Sequence, residues 1–184
     1  MTTTINNRYW ATEHADMDWV TDRIAVGGGI FGRGAMAEVA EAGVTHVLSL
    51  AEFDETKLAE THGVAVCWNH ADDDGEPKAA AWFGRGVKFA KDALAQKGAK
   101  LYIHCAAGIN RAPMMALAVL CSMGWSAERA MRQMKAVRPC VGFSDVYVES
   151  VMRYLDFAEA LRRERVVLDD GGALVGVPVG EERP

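Results

Sequence analysis

Apolar positions recur with two different periods along this chain, and the switches between them mark its elements. Residues 24–26 (I-A-V) predict a short strand closed by Gly27, Gly28 and Gly29, and 34–41 a short helix ended by Gly43. The run 44–50 (V-T-H-V-L-S-L) predicts a buried strand, 57–61 a helical turn stopped by Gly63, and 64–68 the next strand. Residues 69–78 (N-H-A-D-D-D-G-E-P-K) have no period and predict an exposed loop. From 79 to 96, Trp82, Phe83, Val87, Ala90 and Leu94 fall near helical spacing, with Gly98 beyond the last turn. A strand at 100–104 and a break at 106–110 lead to a helix over 113–123, where Pro113 is tolerated in the first turn. Gly124 ends it. Ser126 is a candidate N-cap for a helix over 127–137, and Ser144 for a last helix reaching about residue 163, with Val148, Val151, Met152 and Leu155 on one face.

Strands alternate with helices first, and helices then run on alone. That order predicts an α/β fold with a mostly parallel central sheet of 4–5 strands flanked by helices. No repeat at a period of 20–50 residues is evident. Residues 1–20 read as an N-terminal arm whose Tyr9, Trp10 and Trp19 are expected to pack across the core. Residues 21–165 read as the compact domain and 166–184, rich in Gly and acids, as a flexible tail.

Composition narrows the function. With 184 residues, 50% of them apolar and 24% charged, the chain has the balance of one globular domain. A formal net charge of −5 argues against a duplex DNA binder and against a polybasic membrane anchor, while leaving room for a local basic pocket. The uncharged stretch 112–127 is interrupted by Pro113, Ser122, Gly124 and Ser126 and falls short of the ~20 apolar residues a spanning helix needs, so no membrane insertion is expected. The first 20 residues lack a basic region followed by an apolar core, and a cytoplasmic location is the expectation. Cys67, Cys105, Cys121 and Cys140 are widely spaced without a C-x-x-C pair, which suits reduced thiols better than a disulfide framework or a zinc site. Met114, Met115, Met123, Met131 and Met134 sit at core-like helix positions and call for no cofactor.

The chemistry concentrates in Tyr102-Ile103-His104-Cys105-Ala106-Ala107-Gly108-Ile109-Asn110-Arg111-Ala112-Pro113. A cysteine ends a buried strand, and an arginine follows six residues later at a helix start. The small residues between them let backbone N–H groups converge on one point, where the helix N-terminus adds partial positive charge. Such a nest binds a tetrahedral oxyanion. Arg111 can offer a bidentate fork to two phosphate oxygens. A free cysteine is only a few per cent ionised at pH 7, and a helix N-terminus beside a cation raises that share, which makes Cys105 the candidate nucleophile. His104 either orients the loop or is a satisfied core histidine.

H-C-A-A-G-I-N-R resembles the H-C-x-x-G-x-x-R signature of cysteine-dependent phosphatases, and D-R-I-A-V-G-G, G-V-T-H-V-L-S-L, the acidic loop, A-L-A-Q-K-G-A-K-L-Y-I-H-C and G-W-S-A-E-R-A resemble segments of the compact dual-specificity branch. The likeness covers roughly residues 22–161. It implies that Cys105 attacks phosphorus to form a phosphocysteine, with the phosphate held by residues 106–110 (Ala106, Ala107, Gly108, Ile109, Asn110) and by Arg111. It implies no metal and no cofactor, and a phosphorylated protein or peptide as substrate. An aspartate on a mobile loop then protonates the leaving oxygen and activates water. The family spacing, aligned through A-L-A-Q-K, selects Asp73, with Asp72 next and Asp74 last.

Two positions depart from the pattern. Ala112 stands where many relatives carry Ser or Thr, so phosphocysteine hydrolysis is expected to limit turnover. Asn110 stands where the dual-specificity group often has Ser and relatives acting on RNA 5′-triphosphates often have Asn. The loop lacks the lysines associated with inositol lipids, which lowers that assignment. The alternatives are a phosphatase for a non-protein phosphoester and a weakly active phosphate-binding module. Gly27-Gly28-Gly29-Ile30-Phe31-Gly32 also satisfies G-x-G-x-x-G, with Glu52 twenty residues on as in dinucleotide-binding folds. The preceding strand is short, little chain remains for a second domain, and the same glycines fall within the phosphatase likeness. Cys67 is a candidate redox partner for Cys105.

Overall fold

The computed structural model describes residues 14–163, 167–168 and 174–175. One sheet contains β1 (Met17–Trp19), β2 (Ile24–Gly27), β3 (His46–Ser49), β4 (Ala65–Trp68) and β5 (Leu101–His104), in the order β1-β2-β5-β3-β4. Strands β2, β5, β3 and β4 pair in parallel, and β1 adds an antiparallel edge to β2. The helices are α1 (Arg33–Glu41), α2 (Thr56–Glu60), α3 (Ala80–Ala95), α4 (Arg111–Ser122), α5 (Ala127–Val137) and α6 (Asp145–Arg163). A short antiparallel pair, β6 (Val167–Leu168) and β7 (Leu174–Val175), follows them. This is the α/β architecture that the element order predicts.

Successive strand residues point to opposite faces, and both faces are covered. Ile24, Val26, Leu48, Leu101 and Ile103 enter one core with residues of α3, α4, α5 and α6. Ala25, Val47 and Tyr102 enter a second core with residues of α1 and α2. Two-sided burial is why these strands read as apolar runs rather than as alternation. The central strand β5 leads into α4, which is buried from Arg111 through Leu120. The long uncharged stretch is therefore a core helix. Among the described residues, no helix is long and apolar enough to cross a membrane.

Local signals hold at the helix starts: Ser126 Oγ accepts a hydrogen bond from Arg129 N at 3.2 Å, and Ser144 Oγ from Tyr147 N at 3.4 Å. Three details differ from expectation. The N-terminal arm yields strand β1, three residues too short to show a period and formed only by pairing with β2. The inner stripe of α6 is Tyr147, Ser150, Val151 and Tyr154, while Met152 is exposed. It is offset from the aliphatic stripe because the tyrosine rings pack inward, Tyr154 stacking on Phe83 with ring centroids 5.4 Å apart. Met123, at the end of α4, is exposed rather than buried. Cys140 is exposed as well. Trp19 packs against the second core, with Lys100 Nζ 4.8 Å above its ring. Tyr9 and Trp10 lie outside the described residues, as does most of 166–184.

Candidate active site

Cys105 follows the last residue of β5 and is 1% exposed. The loop after it returns to the start of α4 through Gly108 at φ +65°, where an added Cβ would meet the Gly27 carbonyl carbon and oxygen at 2.3 and 2.4 Å. From 105 to 110 every loop carbonyl is within hydrogen-bond distance of a donor. The Cys105 oxygen lies 3.3 Å from His104 Nδ1. Ala106 O accepts from Gly29 N (2.9 Å), Ile109 O from Gly142 N (2.7 Å) and Asn110 O from Met114 N (3.0 Å). Ala107 O and Gly108 O accept from Arg138 Nη2 and Nε, both at 3.0 Å. Among the described residues, the amides of 106–110 meet no acceptor. With the carbonyls bound, these N–H groups are left for an anion at the N-terminus of α4.

Arg138, just past α5, has no counterpart among the site residues expected from the sequence. It is 5% exposed, and its three nitrogens each donate. Besides the two loop carbonyls, it binds Asp16 (2.6 and 2.8 Å) and Asp18 (2.8 Å) from the β1 edge. Those carboxylates push its pKa further up, although burial opposes them. The guanidinium thus ties the cysteine loop to β1. Its sole signal in the sequence is an arginine before Pro139 at the end of a helical pattern.

Arg111, the first residue of α4, is 2% exposed. Its Nη1 donates to Glu52 Oε1 (2.8 Å), Ala71 O (2.9 Å) and Leu50 O (3.2 Å), while the buried Nε has no hydrogen-bond partner. The residue is therefore anchored through one nitrogen with Nε uncommitted, as anion binding requires. Glu52 orients Arg111, a use that the dinucleotide reading of the same residue does not predict. The glycines of that reading are occupied by the chain itself: Gly28 N donates to Asp16 O (2.8 Å), and Gly29 N to Ala106 O.

The three adjacent acids occupy different surroundings. Asp73 meets Asn110 Nδ2 through both carboxylate oxygens at 3.3 Å, receives the Tyr147 hydroxyl on Oδ1 at 3.0 Å, and places Oδ2 3.6 Å from Arg111 Nε. Asp74 serves the loop itself, binding Lys78 Nζ and accepting from Glu76 N at 3.0 Å. The Asp72 side chain is 78% exposed, 3.6 Å from His70 Nε2. The fold thus brings Asp73, Asn110 and Arg111 together beside the cysteine loop and leaves Asp72 and Asp74 out. At the loop base, Asn69 is buried, donating to Trp82 O (3.0 Å) and accepting from Arg85 Nε (3.0 Å).

His104 is fully buried beneath the loop and stacks on Tyr102, with ring centroids 5.2 Å apart. Burial lowers its pKa to about 4, so the ring is neutral at pH 7. Its Nε2 lies 3.7 Å from Glu55 Oε1, whose own burial raises that carboxyl to about 7. Cys67 is half-buried, and burial raises its thiol. It sits on β4, two strand spacings from β5 and in register with Ile103 through Leu48. At about 4.8 Å per spacing, its Cα is beyond the ~7 Å reach of a disulfide to Cys105 without backbone movement. Among the described residues, no cluster of three or more His, Cys, Asp or Glu side chains could hold a metal.

Comparison with known proteins agrees with this fold. The family described as dual specificity phosphatase, catalytic domain, matches residues 32–157. The structure of PTPMT1 in complex with PI(5)P aligns with a TM-score of 0.71 at 20% identity, covering 80% of this chain and 99% of that one. Human DUSP28 aligns at 0.68 and 20%, covering 78% and 95%. Tk-PTP in its active form aligns at 0.67 and 20%, covering 77% and 97%.

Proposed function

This chain belongs to the dual specificity phosphatase catalytic-domain family and is a cysteine-based phosphatase, and we propose that it removes phosphate from phosphotyrosine and phosphoserine or phosphothreonine in proteins. The observation that carries this reading is the cradle: carbonyls 105–110 bound outward, amides free, Cys105 at the floor and Arg111 Nε uncommitted. Cys105 Sγ attacks phosphorus as a thiolate, and an S–P bond forms as the bond to the leaving oxygen breaks. The inward amides and Arg111 hold the three equatorial oxygens, whose charge grows in the transition state. Asp73 gives its proton to the leaving oxygen. Its carboxylate then takes a proton from the water that attacks phosphocysteine, releasing phosphate and restoring the thiolate.

The choice of a protein substrate is supported by charge and by aromatic surface. Residues 106–110 carry no lysine or arginine, and Glu52, paired with Arg111 at 2.8 Å, adds negative charge that disfavours a polyanion such as an inositol polyphosphate or an RNA triphosphate. Asn110, the residue that raised the RNA reading, spends its amide on Asp73. Phe53, exposed beyond the end of β3, and Trp68, exposed at the last position of β4, lie at the same sheet end as Cys105 and offer aryl surface to a phosphotyrosine ring. A site that depends on a reduced cysteine suits the cytoplasm. The test is Cys105→Ser assayed on an aryl phosphate and on phosphotyrosyl and phosphoseryl peptides. Hydrolysis should vanish while vanadate still binds; persisting hydrolysis, or loss of vanadate binding in a folded variant, would overturn the assignment.

A further inference from the structure

The acid loop is docked on α6, and the docking runs through the carboxyl group that the chemistry uses. Tyr147 is 3% exposed and lies on the inner stripe of α6. Its hydroxyl accepts from Gly75 N at 3.0 Å and donates to Asp73 Oδ1 at 3.0 Å. A phenol has one proton, and with the loop amide already donating to the oxygen, that proton is directed at Asp73. One helical turn on, the buried Ser150 Oγ accepts from Lys78 N at 3.3 Å and donates to Val146 O at 2.9 Å. Lys78 Nζ also lies 5.9 Å from the centre of the Tyr147 ring. Two residues of α6 therefore grip the loop on either side of its tip.

We propose that Tyr147 is a positioning residue for the general acid, holding Oδ1 of Asp73 so that Oδ2 faces the leaving oxygen; this rests on the reading of Asp73 as that acid. The two carboxylate oxygens are not equivalent. Oδ1 is engaged by Tyr147, whereas Oδ2 lies on the side of the uncommitted Arg111 Nε, 3.6 Å away. Asn110 Nδ2, at 3.3 Å from both oxygens, steadies the carboxyl plane without choosing between them. Tyr147 makes the choice. A general acid works only when its proton lies within hydrogen-bond reach of the departing atom, so an error of about 1 Å in its placement costs up to about 10²-fold in rate. The consequence is confined to substrates that need the proton: a leaving group that departs readily as an anion does not depend on the acid.

The experiment compares Tyr147→Phe, Asp73→Asn and the native chain on two phosphate esters, phenyl phosphate with its poor leaving group and p-nitrophenyl phosphate with a good one. Tyr147→Phe keeps the ring and removes only the hydroxyl. The ratio of kcat/KM for the good to the poor leaving group should rise about tenfold in Tyr147→Phe and further in Asp73→Asn. Ser150→Ala, which loosens the same loop from the same helix, should raise the ratio in the same direction by a smaller factor. An equal loss on both esters in Tyr147→Phe, as a merely structural defect gives, overturns the proposal, as does an unchanged ratio. If Asp73→Asn itself leaves the ratio unchanged, the reading of Asp73 as the acid fails along with it. A raised ratio in Asp73→Asn alone sinks the role of Tyr147 and spares that of Asp73.

Discussion

The two loops that meet at the site are held in contrasting ways. In the cysteine loop each carbonyl from 105 to 110 is engaged, and the key donor, Arg138, is buried and bound to two further carboxylates. The acid loop reaches the site through a few side-chain bonds from Asn110, Tyr147 and Ser150, and its central residues are exposed. A preformed anion cradle costs no reorganisation when charge develops on phosphate, whereas an acid that must meet varied leaving groups is served by a loop with fewer anchors. One loop is rigid because all of its carbonyls are engaged, which leaves its amides free for the anion. The other is set by individual hydroxyl and amide groups.

The largest effect should follow from breaking the rigid loop. Arg138→Met frees two buried carbonyls and leaves Asp16 and Asp18 without their cation. Those acids are partly exposed, so the loss of stability should be about 2–3 kcal/mol rather than the full cost of a buried pair. Activity should fall roughly 10³-fold on good and poor leaving groups alike, because the inward amides lose their alignment. Urea unfolding together with kinetics on both esters checks it; a selective loss on the poor leaving group would contradict the division between loops.

Within the acid loop, Asp73→Asn should lower the rate on phenyl phosphate on the order of 10²-fold or more, whereas Asp72→Asn and Asp74→Asn should change it less than about twofold. A comparable loss in either neighbour would move the acid to that position. Glu55 provides a pH-dependent test of the packing beneath the cysteine loop. Its carboxyl goes from 4.5 when unfolded to about 7 when folded. Below the lower value it is protonated in both states. As pH rises through this interval the unfolded chain releases its proton first, so stability falls and the full cost is present above about 7. His104, lowered from 6.5 to about 4, works in the opposite sense: its contribution is present above 6.5 and is lost as pH falls towards 4. Glu55→Gln should therefore stabilise the protein by roughly 3 kcal/mol at most at pH 8 and by almost nothing at pH 4. Urea midpoints at the two pH values measure the difference, and an equal gain at both would show that ionisation is not its cause.

The smallest effect concerns turnover. Ala112 is fully buried at the second position of α4, the position at which the family resemblance implies a hydroxyl that assists the leaving thiolate. A burst of product followed by a slower steady rate is expected in rapid mixing, and Ala112→Ser should raise the steady rate by about threefold to tenfold. A linear progress curve unchanged by the substitution would place the slow step elsewhere.

The signature from His104 to Arg111, the alternation of strands and helices, and the caps Ser126 and Ser144 were legible because each is local: a turn, a period or a helix start involves residues within a few positions of one another. The stripe of α6 was misread because a tyrosine is apolar along its ring and polar at its tip, and only its neighbours decide which property governs. Strand β1 was invisible because its partner, and not its own three residues, makes it a strand.

What the chain order by itself determined is the candidate nucleophile, the arginine six residues on and a glycine between them, since a tight loop at a helix start needs only local backbone geometry. What the tertiary structure alone decided is how that loop and the acid are held. Arg138 comes from 30 residues beyond Gly108, Asp16 from 122 before Arg138, and Tyr147 from 74 after Asp73. A hydrogen bond is fixed by distance in space, and contacts across such separations exist only once the sheet and its helices have closed around them.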